Sequence, residues 1–275
     1  MATQSNITLG VSHYVCPAGT SLTEFLDQIS AAGFDSIGLT VKALNELPLT
    51  QLRAELKARD LGVSSVNTAG YFFESSAPFA DQADLNLRLL DAAAELDAAN
   101  GVNLIVGSSD QLALTESRKI ALEKSVELAA QAKSRGTRLL LEPMHPLQAR
   151  GKGCVNTLAH ASQWLKAIPA LSLNVDLFHS WWDPDLERAL SGEMGSVGVL
   201  QVCDVLIATG TCLPSRAPLG EGGIDWYAAA VHALATWPDM PIELEWFADQ
   251  LPHRDALSLM RADAQQMRQL RSDDR

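Results

Sequence analysis

Short apolar runs, each closed by a polar or charged residue, alternate along this chain with longer segments whose apolar positions recur at helical spacing. The runs fall at residues 7–12, 35–40, 63–67, 102–106, 138–142, 171–175, 197–202 and 241–246, and each predicts a strand. Their near-continuous apolar character is that of strands covered on both faces, as in a parallel sheet. The first intervening segment opens with Ser21-Leu-Thr-Glu24, a capping box. Leu22, Phe25, Leu26 and Ile29 then line one helical face, and Gly33 ends it. Further helices are predicted over 49–61, 80–99, 115–135, 156–167, a segment opening at Pro184 and Asp185, 224–236 and 254–270.

Strand and helix alternate eight times over 275 residues, which fits a single-domain (βα)8 TIM barrel spanning 1–275. A doubly wound open sheet is the alternative, but no Gly-rich phosphate loop follows the first strand.

Composition narrows the function classes. Hydrophobic residues make up 47% of the chain, enough for a large core, and the net charge is −12. That charge argues against nucleic acid and against anionic lipid as partners. No apolar stretch reaches the roughly 18 residues a membrane span requires. Cys16, Cys154, Cys203 and Cys212 show no CxxC spacing and read as reduced thiols of a cytoplasmic protein. The start, MATQSNITLG, lacks the basic and apolar regions of a signal peptide.

The chemistry gathers at the ends of the last four strands. The fifth ends RLLLE at Glu142 and the sixth NVD at Asp176. The seventh reads VLQVCD, with Gln201 and Asp204, and the eighth PIELEWF, with Glu243 and Glu245. In a barrel all C-terminal strand ends meet at one mouth. One acid there is ordinarily a solvated loop residue or a helix cap. Three carboxylates and an amide oxygen together repel unless a divalent cation sits between them. An all-oxygen set suits Mn²⁺ or Mg²⁺ better than Zn²⁺, with Co²⁺ or Zn²⁺ as the lesser choices. Glu245 is nearer the mouth and is the expected ligand. Glu243, two residues earlier, faces the same side one layer deeper, or is the ligand if the strand starts later.

Other groups surround this rim. His179, three residues after Asp176, is expected to face the metal or a substrate hydroxyl; His145, in EPMHP, and His13 are weaker candidates. Arg216 precedes the turn-rich APLGEGGID and is expected to bind a substrate oxyanion or carboxylate. Trp181 and Trp182 cap the barrel or line a sugar-binding wall.

With these residues in view, the chain resembles the xylose isomerase-like barrel superfamily, the sugar phosphate isomerase/epimerase group. That group includes ketose 3-epimerases, inosose dehydratases and isomerases, and 3-dehydroshikimate dehydratases. The stretches that carry the resemblance are LLLEPMHP, CVNTLAHA, NVDLFHSWWDPDL, LQVCDV, RAPLGEGGIDW and IELEWF, with GFDSIGL in the first half. The resemblance implies metal ligands at Glu142, Asp176 and Glu245. It places Gln201 at a fourth ligand position that is usually His, a pattern similar to that of some dehydratase members. It implies substrate contacts at His179 and Arg216.

The expected activity is isomerisation or epimerisation of a sugar-like polyhydroxy carbonyl compound with one divalent cation. Glu142 and Glu245 would exchange the proton next to the carbonyl. The same site performs dehydration if a β-hydroxyl leaves. Phosphodiester hydrolysis is opposed by the acidic charge, and a non-catalytic sugar-binding or partner subunit is the reading that Gln201 would favour. Barrels of this kind often pair, so a homodimer is expected.

Overall fold

In the computed structural model, which describes residues 7–207, 213–251 and 253–272, each barrel strand's hydrogen-bond partners lie on parallel neighbours. The barrel strands are β1 (Leu9–Ser12), β2 (Ser36–Thr40), β3 (Gly62–Gly70), β4 (Val102–Ile105), β5 (Leu139–Leu141), β6 (Leu171–Asp176) and β7 (Val197–Val202). Two further strands, β8 (Asp204–Ile207) and β9 (Pro214–Ala217), form an antiparallel hairpin, and β10 (Ile242–Leu244) completes the barrel. The order β1-β10-β7-β6-β5-β4-β3-β2 closes on itself. This is a (βα)8 TIM barrel, as the alternation predicts.

The helices are α1 (Leu22–Ala32), α2 (Val41–Glu46), α3 (Leu49–Ala58), α4 (Gln82–Glu95), α5 (Leu114–Ser134), α6 (Leu158–Ala167), α7 (Leu177–Ser180), α8 (Leu186–Leu190), α9 (Trp226–Thr236), α10 (Ala256–Met267) and α11 (Gln269–Ser272). The predicted capping box is present at α1, whose Phe25, Leu26 and Ile29 are fully buried. Burying each such side chain contributes about 1.5–3 kcal/mol, so the helix is held by its inner face more than by its propensity. No helix among the described residues is long and apolar enough to cross a membrane.

Several boundaries differ from expectation. The fifth and eighth strands are shorter, so Glu142 and Glu245 lie just past them. Their backbones stay on the ladder: Glu142 N–H donates to Leu104 O at 3.1 Å and Glu245 N–H to Val202 O at 2.9 Å. Predicted helices at 80–99 and 254–270 are trimmed or divided. The unpredicted α7 begins directly at Asp176, which leaves only the five-residue α8 for the expected sixth helix. The hairpin β8–β9 was not predicted either, and it carries Arg216.

Cys16, Cys154 and Cys203 are buried free thiols; Cys212 lies outside the described residues.

Candidate active site

Inside the barrel, beneath its C-terminal mouth, the side chains turn from apolar to polar. Asp176 is both the last residue of β6 and the N-cap of α7, its Oδ1 accepting the Phe178 N–H at 2.9 Å. The Ser180 hydroxyl bonds the Asp176 carbonyl at 2.6 Å, and the Trp182 indole bonds the His179 carbonyl at 2.9 Å. This short turn aims His179 back at the strand ends. His179 Nε2 lies 3.6 Å from Glu142 Oε1 and 3.7 Å from Asp176 Oδ2. Glu142, Asp176 and His179 each bring one ligand atom within 4.8 Å of the others, a group that could hold a metal ion.

Arg216 reaches the same place from β9. Its guanidinium grips Asp176 with both terminal nitrogens, one at 3.1 Å from Oδ1 and the other on Oδ2. It also bonds the Glu245 carbonyl at 3.0 Å and lies 3.4 Å from Glu245 Oε1. The Phe178 and Phe247 rings sit 4.6 and 4.9 Å from it, so the cation is clasped by aromatic faces. Arg216 was expected as a loop residue free to meet substrate; here it is 3% exposed and spends its terminal donors on the protein.

Gln201, on β7, is likewise committed. Its Nε2 donates to Glu243 Oε1 at 2.8 Å and to Glu245 Oε2 at 2.7 Å, while its Oε1 accepts from Asn174 Nδ2 at 2.8 Å. With its nitrogen between the two carboxyls, the amide donates to both. As placed, Gln201 offers the mouth hydrogens and no lone pair. Asp204 caps the hairpin instead of joining the site, accepting the Val205 and Ile224 N–H groups at 2.9 Å.

Four buried carboxyls, Glu142, Asp176, Glu243 and Glu245, belong to this network, and Arg216 pairs with two of them, Asp176 and Glu245. The surplus appears in their proton affinities. Burial, then Asp176, pushes Glu142 up to about 7. Burial pushes Glu245 up to about 8 against the pull of Arg216, and Asp176 and Glu142 add to the rise. Burial opposes the charge of Asp176 too, yet Arg216, beside it, holds that carboxyl below its ordinary range. Two acids that keep protons near neutrality beside one that does not are the pattern of proton-transfer sites.

His179 has a defined proton. Burial lowers it to about 3, so the ring is neutral. Its Nδ1 accepts the His145 backbone N–H at 3.2 Å. The single ring hydrogen is therefore on Nε2, facing the carboxylates. To coordinate an ion, His179 would have to move that hydrogen to Nδ1 and give up His145. The His145 ring is engaged elsewhere, its Nδ1 accepting the Leu147 N–H at 3.3 Å and its ring lying edge-to-face with Trp182 at 5.6 Å. His13 is bonded through Nδ1 to Thr40 Oγ1 at 2.8 Å, away from the cluster.

Sequence reasoning missed the amides. Asn103 Nδ2 donates to Glu142 Oε2 and also to Asn67 Oδ1 at 3.0 Å. The only signal was a polar residue inside an apolar strand run. Beside this network a cavity of about 490 Å³ opens to solvent, lined in part by Tyr14, Lys42, Asn67, Tyr71 and Phe79. Asn67 belongs to both, so the cavity wall and the carboxylate support are continuous.

A family model described as xylose isomerase-like TIM barrel matches residues 26–270. No curated protein matches the chain significantly. Among solved structures, a protein from Sinorhizobium meliloti 1021 is 26% identical, covering 95% of this chain and 97% of its own, with a TM-score of 0.84. The IOLI protein with a bound zinc atom is 16% identical over 97% and 98% of the two chains, with a TM-score of 0.77. The 3-keto-D-glucoside 4-epimerase of E. coli is 19% identical over 96% and 99%, with a TM-score of 0.76. At such identities the last two establish the fold alone.

Proposed function

The chain belongs to the xylose isomerase-like TIM barrel family, and from that premise we propose that it is a divalent-metal-dependent isomerase or epimerase of a polyhydroxy carbonyl compound. The observation that carries this reading is the pair of buried glutamates, Glu142 and Glu245, both inclined to hold a proton, on either side of an ionised Asp176.

The donor set fits a cation. Three carboxyls at one rim exceed what a single guanidinium neutralises, and hard oxygen donors suit Mn²⁺ or Mg²⁺. Glu142, Asp176 and Glu245 would hold the ion. When bound, it would supply Lewis acidity to a substrate carbonyl. The IOLI protein, a barrel of the same fold, holds a zinc atom in its structure, which supports the reading.

The chain's own groups then do the proton work. One of Glu142 and Glu245 takes the hydrogen from the carbon beside the carbonyl; the other delivers one to the same or the opposite face. The His179 Nε2–H donates to a substrate oxygen, and Arg216 keeps Asp176 ionised and fixed. The aromatic side chains Tyr14, Tyr71 and Phe79 line the neighbouring cavity, where the substrate's carbon chain would lie.

The test is hydrogen exchange. The protein is stripped with a chelator, reloaded with Mn²⁺, and incubated in D₂O with a panel of ketoses and inososes. Deuterium should enter one carbon next to the carbonyl in the loaded protein and not in the stripped one. Undiminished turnover without metal would sink the mechanism. The product separates outcomes: an epimer or isomer keeps its mass apart from deuterium, whereas dehydration loses water.

A further inference from the structure

Aromatic side chains serve mostly in cores and at binding surfaces, yet Tyr71, Phe72, Phe73 and Phe79 all fall in the loop between β3 and α4. The loop is tied down: Ser75 Oγ accepts the Asp110 N–H at 3.1 Å, and the Ala77 N–H donates to Phe73 O at 2.9 Å. Two cavities adjoin it. One is the mouth cavity of about 490 Å³. The other, of about 570 Å³, lies between the loop, the start of α4 and Lys124 of α5. Tyr71, Pro78 and Phe79 line both, and Phe79 is 42% exposed where they adjoin.

The second cavity contains a fixed polar group. Gly70 donates its backbone N–H to Asn86 Oδ1 at 3.0 Å, and its carbonyl accepts Asn86 Nδ2 at 3.0 Å. Backbone groups cannot exchange these roles, so they set the Asn86 amide. Gln82, one turn earlier on α4, donates Nε2 to the same Asn86 Oδ1 at 2.9 Å. Its Oε1 is left as an acceptor. Gln82 is 6% exposed and lines the cavity, and this oxygen has no hydrogen-bond partner among the described residues. A buried carbonyl oxygen without a donor is destabilising until a ligand or water supplies one.

The surroundings narrow the ligand. It must bring a hydrogen to Gln82 Oε1 and an apolar face to Phe72, Phe73 and Phe79. An anion would meet Glu74 and the Gln82 lone pairs, and a hydrocarbon would leave the oxygen bare. A sugar ring meets every requirement: its hydroxyls donate to Gln82 and accept from Lys124, and its C–H face lies against aromatic faces.

We propose that the second cavity binds a sugar ring and that the substrate is a two-ring glycoside. Its ketose unit occupies the mouth cavity, and its glycosyl unit crosses Phe79 to reach Gln82. Each cavity has the size of a site for one small ligand. The inference rests on the function proposed above in seating the reacting ketose at the mouth, and it names that ketose's chemical class.

The probes are D-fructose and four of its glycosides with different linkages or sugars: turanose, maltulose, isomaltulose and lactulose. In the Mn²⁺-loaded wild type, deuterium exchange into at least one glycoside should exceed that into fructose about tenfold or more in kcat/KM. Gln82→Met removes the acceptor at similar size. Ala83→Trp, at an exposed position on the cavity's edge, fills the space. Each should lower the glycoside-to-fructose ratio about tenfold. If Gln82→Met does not fold, Ala83→Trp decides. A second measurement needs neither ion nor turnover. In the metal-free wild type the Gln82 side-chain amide resonances should move with at least one glycoside, at concentrations where fructose leaves them in place, and should not move in Ala83→Trp.

Fructose exchanged as well as all four glycosides, or a ratio unchanged in Ala83→Trp, overturns the inference and leaves the proposed function standing. If no ketose exchanges deuterium, the proposed function fails by itself and the resonances decide: movement with a glycoside alone supports the second sugar site, and resonances that no glycoside moves overturn it.

Discussion

His179 Nδ1 accepts the backbone N–H of His145 at 3.2 Å, and this bond decides what His179 can be. A neutral imidazole that accepts at one nitrogen carries its hydrogen at the other. A metal-bound histidine does the reverse, donating from the nitrogen that faces away from the ion. His179→Gln should therefore keep Mn²⁺ affinity within about threefold while turnover falls about a hundredfold, the usual scale for losing a positioned proton donor. Mn²⁺ titration and deuterium exchange measured on the same preparation check it. A drop in affinity as large as the drop in turnover would make His179 a ligand.

Arg216 and Asp176 form a buried, two-pronged ion pair. Breaking such a pair from one side typically costs about 3–5 kcal/mol, because the remaining charge is left without a partner. Arg216→Met should destabilise the metal-free protein by about that much in urea denaturation. Added Mn²⁺ should restore part of the loss in the variant and add less to the wild type, since the ion supplies the missing positive charge beside Asp176. Equal stabilisation of both proteins by Mn²⁺ would refute the electrostatic account.

Glu142, Asp176, Gln201 and Glu245 were legible as a group because polar residues at the ends of apolar strand runs can only meet at the mouth once the barrel closes. Their individual tasks were not legible. Whether Gln201 points its oxygen or its nitrogen inward depends on Glu243 and Asn174, which lie on other strands. Strand periodicity could not separate the barrel interior from the helix-facing side, since both are buried and both favour apolar residues. Asn67, Asn103 and Asn174 therefore passed as polar interruptions and not as a connected support. Arg216 was found, but its direction depends on the hairpin β8–β9, whose pairing the short VLI segment does not announce.

Binding of a divalent ion should release protons. Glu142 and Glu245, raised by burial to about 7 and about 8, are substantially protonated near neutrality, and an ion must displace those protons to reach the oxygens. The affinity should rise with pH through this window and level off above it. Calorimetry at pH 7 in buffers of different ionisation enthalpy should report the release of between about one and two protons per ion, shrinking towards zero near pH 9. Proton-neutral binding at pH 7 would mean that these two carboxyls do not take the ion.

Asp263 on α10 offers a pH test away from the mouth. Its Oδ2 accepts the Trp246 indole N–H at 2.8 Å and its Oδ1 the Leu219 N–H at 3.1 Å, tying the end of the barrel's last strand to the loop before α9. Burial outweighs these donors and raises its carboxyl to about 7. Between its ordinary value near 3.8 and 7, the native state keeps the proton and the unfolded chain has lost it. Stability contributed at this position is therefore present at low pH and falls as pH rises through that window, by on the order of a few kcal/mol. Asp263→Asn cannot titrate. It retains one acceptor and sets N–H against N–H at the other, at a cost of about 1–3 kcal/mol. Urea denaturation from pH 5 to pH 8 should show wild type most ahead of Asp263→Asn at pH 5, with the gap narrowing towards pH 7. A gap that is constant, or that widens with pH, would show that Asp263 is ionised in the folded protein throughout.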